Sequence, residues 1–263
     1  MPHDLGFHWG MLNDHDRNAA YRTAIRRAAA GRIVYDLGAG MGPMSYYALT
    51  AGARRVYGFE IDRDAYPYLR RLTQRFPNFA PVRTDVLRGR LPGDLPDVVV
   101  CEMWSAWLAA WPMISALNRI LRRAPLTCVI PAQGYHVVQL VQARHRAGMP
   151  VEVVPGSEAS VFGEPLATAE MSLPALASVT DFRHHNGPLE TVVSLVPLTT
   201  GTVNAVRLYS LEEVSEGLIL PRIGTRSDEL LRWITPVRAR RGRRVRIHVR
   251  HRWDAGLQLS VDE

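Results

Sequence analysis

The sequence predicts an α/β protein, with a Rossmann-like parallel sheet in its first half and a mainly β, barrel-like second half. Three observations predict it. Residues 33–62, IVYDLGAGMGPMSYYALTAGARRVYGFEID, read as a buried strand, a glycine turn, a helix and a second strand that ends in an acid. Residues 95–101, LPDVVVC, are nearly all apolar, as a central parallel strand is. After Pro131 the pattern changes to short strand-like runs separated by Gly, Pro and polar turns. That change divides the chain into residues 1–131 and residues 132–263.

Residues 1–30 carry an amphipathic segment in which Met11, Leu12, Ala20, Tyr21, Ala24 and Ile25 recur near helical spacing, a helix placed to lid the ligand of the glycine turn. His8, Asp14 and Arg17 are its polar residues of interest, although spacing alone makes them surface residues of a helix. In the next segment Gly38, Gly40 and Gly42 let the backbone turn sharply and approach a ligand with no Cβ in the way. Glu60 closes the second strand about twenty residues after the glycines, where such folds place a carboxylate for a ribose diol. A purely structural turn is the alternative. A dinucleotide loop is GxGxxG, and here the third glycine arrives one residue early.

Residues 62–76 have helical character, and residues 81–86 read as a short strand ending near Asp85. Glu102 follows the fourth strand at its carboxyl end, where open α/β sheets bind ligands. The neighbouring apolar sequence offers it no local partner, which favours a functional over a structural carboxylate. Residues 113–123 read as a helix with a basic last turn, and residues 126–130 as the fifth strand. In the second half residues 135–142, 189–196, 203–209, 216–220, 231–237 and 244–250 are strand-like. Residues 152–174, poor in periodicity and containing Pro and Gly, read as an insertion or arm.

Composition narrows the function classes. The chain has 263 residues, 47% of them apolar, enough for a real core. Cys101 and Cys128 lack metal-ligand spacing and cannot make a disulfide framework, so no metal is expected and a reducing cytoplasm fits. The first residues carry charge where a signal peptide needs an apolar run. Residues 98–117 are apolar enough to resemble a membrane span, but Glu102 and Pro112 interrupt them, and no membrane association is expected. Net charge is +7 and the chain contains arginine but no lysine. Nucleic acid is therefore worth considering. The densest basic stretch, residues 238–252, alternates Val245, Ile247 and Val249 with Arg244, Arg246, His248 and Arg250, the pattern of a half-buried strand with a solvated face. No aromatic platform interleaves those charges, and no nucleic-acid partner is expected.

With Asp36 two places before the first glycine, DxGxGxG resembles the first motif of class I S-adenosylmethionine-dependent methyltransferases. Preceding it, His8-Trp-Gly-Met11-Leu12-Asn-Asp14-His-Asp-Arg17-Asn-Ala-Ala-Tyr21 is similar to the HxxMLxDxxRxxxY of protein arginine methyltransferases. Ala51-Gly52-Ala53 before the second strand and Glu60 extend the resemblance in order through roughly the first half of the chain. It implies a Rossmann-like class I methyltransferase domain followed by a β-barrel-like domain with a dimerisation arm, hence a homodimer. It also implies S-adenosylmethionine as cofactor. Arg17 would hold its carboxylate, a pairing suited to a guanidinium. His8 and Met11 would lie against it, Asp36, Gly38, Gly40 and Gly42 would take its methionine end, Glu60 its ribose, and Asp85 with Val86 its adenine. The acid that the family places just after these last two is here Leu87.

The departures concern the acceptor. In the family two glutamates on one loop clamp the substrate guanidinium; Glu102 matches the first, and Trp111 stands at the second. The family's Thr-His-Trp loop in the second half appears as Thr225-Arg226-Ser227. Trp104, Trp107 and Trp111, at i, i+3 and i+7, can turn to one side of a helix as a substrate-binding cluster, or can equally be core or interface. Indoles beside one carboxylate suit an aromatic ring or a cation over their faces. The expectation is a methyltransferase that uses Glu102 as its catalytic carboxylate on a small aromatic or nitrogen-containing metabolite, for example an indole or a tryptophan-derived cyclic dipeptide. The alternative is a divergent protein arginine N-methyltransferase. A pseudoenzyme would have no need of Glu102.

Overall fold

The computed structural model describes residues 5–109, 112–145, 158–160, 166–220, 229–253 and 256–262. Two helices open it, α1 (Leu5–Leu12) and α2 (His15–Ala28), with Asp14 between them as the cap of the second. The Asp14 carboxylate accepts the Arg17 backbone N–H at 3.1 Å, satisfying one of the donors that a helix start leaves without an intrahelical partner. On α2 the buried positions Arg17, Ala20, Tyr21, Ala24 and Ile25 fall one or two turns apart and form a single face.

The first sheet comprises β1 (Ile33–Leu37), β2 (Arg55–Glu60), β3 (Phe79–Arg83), β4 (Val98–Cys101) and β5 (Cys128–Ile130), in the order β3-β2-β1-β4-β5 with every pairing parallel. Its connections include α3 (Pro43–Thr50), α4 (Tyr66–Arg70) and α5 (Met113–Leu121). β1 and β4 are buried at every residue, which is why both read as continuous apolar runs broken only by Asp36. The order reverses between β1 and β4, and there Leu37 lies opposite Cys101. Gly38 and Glu102 therefore leave the sheet side by side, at the switch point where such sheets bind ligands.

The second half is antiparallel. Its strands are β6 (Gln133–His145), β7 (Glu158–Ser160), β8 (Leu166–Glu170), β9 (Ala175–Asp181), β10 (Leu189–Leu195), β11 (Gly201–Ser215), β12 (Leu218–Leu220), β13 (Leu230–Ala239), β14 (Val245–Arg252) and β15 (Gly256–Asp262). One sheet runs β7-β13-β11-β6-β8, with β12 on β11 and β9 on β6; a second runs β10-β14-β15. Val138, Leu140, Val206 and Leu208 of the larger sheet share one core with Val193, Ile247 and Val249 of the smaller, the face-to-face packing of a barrel-like fold. β14 buries Val245, Ile247 and Val249 and exposes Arg246 and Arg250. Its outer face carries an ion pair of Arg250 with Glu190 at 2.8 Å and places His248 Nε2 2.7 Å from an Asp262 carboxylate oxygen.

The halves meet through α2. Ala20, Tyr21, Ala24 and Ile25 pack with Val214 and Leu220 of the second half as well as with the first sheet. The Tyr21 hydroxyl donates to Glu212 on β11, both side chains being buried.

Several sequence-predicted elements differ. The helix expected over residues 62–76 is one short helix followed by a 3-10 turn, Arg71–Gln74; Pro67, which fits a helix only in its first turn, keeps it from starting at residue 62. The strand expected over residues 81–86 runs Phe79–Arg83, leaving Asp85 in the loop beyond it. Within the arm of residues 152–174, β7 pairs with β13 and β8 with β6, so these strands belong to the larger sheet. Residues 146–157 and 161–165 of that region lie outside the described residues. Among the described residues no helix is long and apolar enough to cross a membrane.

Tyr21→Phe removes the hydroxyl that Glu212 accepts and nothing else from this junction. Urea denaturation is expected to show a loss of roughly 1–3 kcal/mol, the size of a hydrogen bond to a charged or buried partner, at unchanged m value. An unchanged midpoint would mean that this bond does not help to join the halves.

Candidate active site

At the carboxyl edge of the parallel sheet lies a cleft of about 560 Å³, a volume typical of small-molecule and cofactor sites. Its floor is the glycine turn after β1. Gly38 and Gly40 have φ of 70° and 55°, backbone that only glycine adopts without strain. A Cβ on Gly38 would lie 2.9 Å from Met103 Cγ, and one on Gly40 would lie 3.1 Å from His8 Nδ1. Side chains from α1 and from the β4 loop thus close onto this turn. Gly42, with φ of 94°, opens α3 and packs against Leu69 and Leu72, outside the cleft lining.

Glu60, at the end of β2, lines the cleft while its two oxygens are oriented by backbone: Gly40 N donates to Oε2 at 2.6 Å and Asp62 N to Oε1 at 2.7 Å. A carboxylate offers about four lone-pair sites, so each oxygen keeps a second one for a hydroxyl donor. Asp85, Val86 and Leu87 form the far end. The Asp85 carboxylate accepts Leu87 N at 2.8 Å, and Arg119 donates to the Val86 carbonyl at 2.6 Å, which fixes this loop from α5. Met103, Phe59, Ile61, Arg63, Thr84 and Pro112 also line the cleft and were not singled out from sequence. Most of them directly follow a strand or sit beside one of the expected residues, and that adjacency was the available signal.

Asp36 is buried beneath the turn and does not line the cleft. Its Oδ2 accepts the Ser45 hydroxyl at 2.6 Å, and burial pushes its pKa up to about 7. Asp36, expected at a ligand's methionine end, here lies behind the cleft lining and holds Ser45 of α3.

His8, Met11, Leu12 and Arg17 form the N-terminal wall. Asn18 joins the two helices that carry them, its Nδ2 donating to the carbonyls of Met11 at 3.1 Å and Leu12 at 2.9 Å. Arg17 meets Glu102 as a two-pronged pair, Nε to Oε1 at 2.9 Å and Nη2 to Oε2, and its Nη1 donates to the Met11 carbonyl at 3.2 Å. The side chains are only 4% and 9% exposed, so each charge depends on the other. Glu102 therefore has a partner after all, 85 residues away in sequence.

Trp104 and Trp107 do not share a face. Trp104 lines the cleft, edge-on to Phe182 at 6.1 Å between centroids, in space that Gly134 leaves open by lacking a Cβ. Trp107 is fully buried in the barrel core, with Nε1 donating to the Val137 carbonyl at 3.0 Å. Expecting it in a substrate site is thus corrected. The i, i+3 argument assumes continuous helix, whereas Trp107 and Leu108 both have φ of 54°, and the 3-10 turn Ala106–Leu108 sends the indole away from the cleft. Left-handed backbone costs an L residue roughly 1–2 kcal/mol, which here the buried packing must offset. Trp111 and Thr225, Arg226 and Ser227 lie outside the described residues. Among the described residues no three His, Cys, Asp or Glu side chains are grouped to hold a metal ion.

No family model matches the chain. Over 99 residues, 35% of this chain and 18% of the relative, it is 37% identical to the probable histone-arginine methyltransferase 1.4 of Arabidopsis thaliana. Over 57 residues, 21% of this chain and 16% of the relative, it is 44% identical to an arginine N(omega)-methyltransferase of Streptomyces achromogenes subsp. streptozoticus. The chain thus spans less than a fifth of the length of these curated relatives. In three dimensions it superposes on a chain of the Trypanosoma brucei PRMT1 enzyme-prozyme heterotetrameric complex with AdoHcy, with a TM-score of 0.76 and 16% identity over 98% of this chain and 93% of that one. The chain is therefore similar, over those segments, to proteins named as arginine methyltransferases, and over its whole length it has the fold of the Trypanosoma chain: a Rossmann-like parallel sheet followed by a barrel-like sheet.

Asp36 gives this site a pH signature. Its pKa is about 7 in the fold against 3.8 unfolded, so the folded state binds the extra proton between those values. Its contribution to stability is complete below about pH 4 and is lost as pH rises through about 7. Asp36→Asn, neutral and able to keep the Ser45 bond, is expected to raise the denaturation midpoint at pH 8 and leave it nearly unchanged at pH 4. A substitution equally harmful at both pH values would show that the charge is not what matters.

Proposed function

We propose that this chain is an S-adenosylmethionine-dependent methyltransferase whose acceptor is a guanidino or other cationic nitrogen group. The observation that supports this reading best is the adjacency, in one cleft, of the glycine turn with Glu60 and the Arg17–Glu102 pair. Residues of the cleft fit the cofactor: a glycine turn lining the cleft, a carboxylate with spare acceptor sites, and a far end of Val86 and Leu87 beside Asp85 for a planar base. Bound there, the cofactor would supply a methyl already activated on a sulfonium, so the protein needs chiefly to position the acceptor.

Glu102 is suited to that task. Held by Arg17 from one side, it presents a fixed acceptor to a nitrogen, and its negative charge favours positive charge developing on that nitrogen during transfer. Trp104 beside it can cover the acceptor with an indole face. The relatives' names, which mention arginine, favour a guanidinium over a neutral ring. Removal of Trp107 from the cleft weakens the indole platform on which the small aromatic reading rested. That second reading, a small aromatic or nitrogen-containing metabolite, retains one observation in its favour, the placement of Trp104 in the cleft.

In this proposal residues 1–131 carry the donor site and residues 132–263 shape the acceptor side. The heterotetramer named for the structural neighbour supports an assembly here too, a homodimer being the simplest. Cys101 and Cys128 are both free, in keeping with a cytoplasmic setting.

Incubation with labelled cofactor and a panel of free arginine, arginine-containing peptides and indole metabolites separates the acceptor classes. Label on guanidino compounds supports the leading reading; label on indoles alone replaces it with the second. Glu102→Gln is expected to lower turnover on the order of a hundredfold, as loss of one preorganised electrostatic group does. Glu60→Ala is expected to weaken cofactor binding in calorimetry. Normal turnover in the first variant, or normal affinity in the second, would remove that residue from the scheme.

A further inference from the structure

The loop that carries Glu102 and Trp104 is anchored from the barrel. The Trp107 backbone N–H donates to Ser210 Oγ at 3.0 Å. Ser210 Oγ lies 2.8 Å from His136 Nδ1, and His136 Nε2 lies 2.9 Å from Thr180 Oγ1. His136 and Ser210 face each other directly in the β6–β11 pairing, and Thr180 comes from β9 on the other side of β6. The imidazole is fully buried, 5.3 Å from the Trp107 ring between centroids, and does not line the cleft.

Burial and the nearby His251 push the His136 pKa down to about 3, so the ring is neutral at ordinary pH, with one donor and one acceptor nitrogen. Ser210 Oγ accepts the Trp107 amide; with the ring proton on Nε2 facing Thr180, Nδ1 takes the Ser210 proton, the arrangement that gives this hydroxyl a partner within the network. A barrel of apolar side chains has no packing need for such a group, whose burial is unfavourable unless both nitrogens are paired. What it adds is direction: it orients the Ser210 hydroxyl toward itself and so the oxygen's lone pair toward the amide of a residue held in left-handed backbone.

We infer that His136 is a positioning residue for the acceptor site, acting through Ser210 on the Trp107 amide and thereby on the loop that presents Glu102 and Trp104. The inference rests on the proposed role of Glu102 at the acceptor. His136 itself touches neither the cleft nor any reacting atom.

The test uses the full-length chain in three variants, His136→Leu, His136→Asn and Ser210→Ala, with two readouts. Hydrogen exchange of the protein alone is expected to show amides of residues 103–109 exchanging about tenfold faster in the Leu and Ala variants, with β1 and β4 unchanged. Steady-state kinetics is expected to show the acceptor's kcat/KM falling on the order of a hundredfold, the effect of a small misplacement, while the KM for the cofactor stays constant. Asn, whose amide can reach Ser210 as Nδ1 does, is expected to recover most of both. Unchanged exchange in the loop, acceleration spread through the barrel, no recovery by Asn, or an equal rise in the cofactor's KM would overturn the inference. If His136→Leu does not fold, Ser210→Ala carries the same two readouts. If the wild type methylates no acceptor, that failure belongs to the proposed function, and the exchange pattern alone decides the role of His136.

Discussion

The pairing of Arg17 with Glu102 is the constraint on which the site depends. Two charges so far out of water are tolerable only if each is matched in charge and geometry, and the two-pronged contact supplies both. Meeting that condition places α2 over the end of β4, and Asn18, next to Arg17, then ties α1 to the same place. His8 and Met11 arrive at the glycine turn as a result. The walls of the cleft are thus set by one ion pair between the beginning of the chain and the loop after its fourth parallel strand.

Much of the first half was legible because its signals are local. A buried parallel strand needs a run of apolar residues, a sharp turn needs glycine, and the acid after β2 stands at a fixed distance from that turn; all three are visible within residues 33–62. The same holds for β14, whose alternation of Val245, Ile247 and Val249 with arginines survives intact. Asp36 shows the limit of such reading. The motif identifies the residue, but only the fold shows that Ser45, in the first turn of α3, occupies its carboxylate.

What was illegible depends on distant pairing. Residues 175–181 become a strand because β6 offers them an edge, and their own pattern is too irregular to announce it. Residues 256–262 do alternate, Leu257, Leu259 and Val261 with Gln258, Ser260 and Asp262, but the run is short and its partner β14 is what fixes it as a strand. Arg17 and Glu102 were each recognised, yet their union could not be, since sequence records no distances. Trp107 was misplaced for a related reason: the spacing rule holds only while the helix continues, and two consecutive left-handed residues end it. The side of the cleft around Glu102 and Trp104 therefore differs more from expectation than the side around the glycine turn, being assembled from a loop and a barrel instead of from one continuous motif.

β11 bears on how such a site can change over time. Ser210 and Glu212 stand two apart on that strand, so their side chains leave the same face, one toward the loop after β4 and the other toward α2. A single residue inserted or lost between Gly201 and Tyr209 that slipped the strand by one would turn both side chains to the opposite face and release helix and loop together. Substitutions can reshape this cleft one position at a time. A change of length in β11 that keeps these side chains in place has to be absorbed as a bulge, as the ladder with β13 already shifts register between Val203 and Ala205, or in a turn such as Gly217.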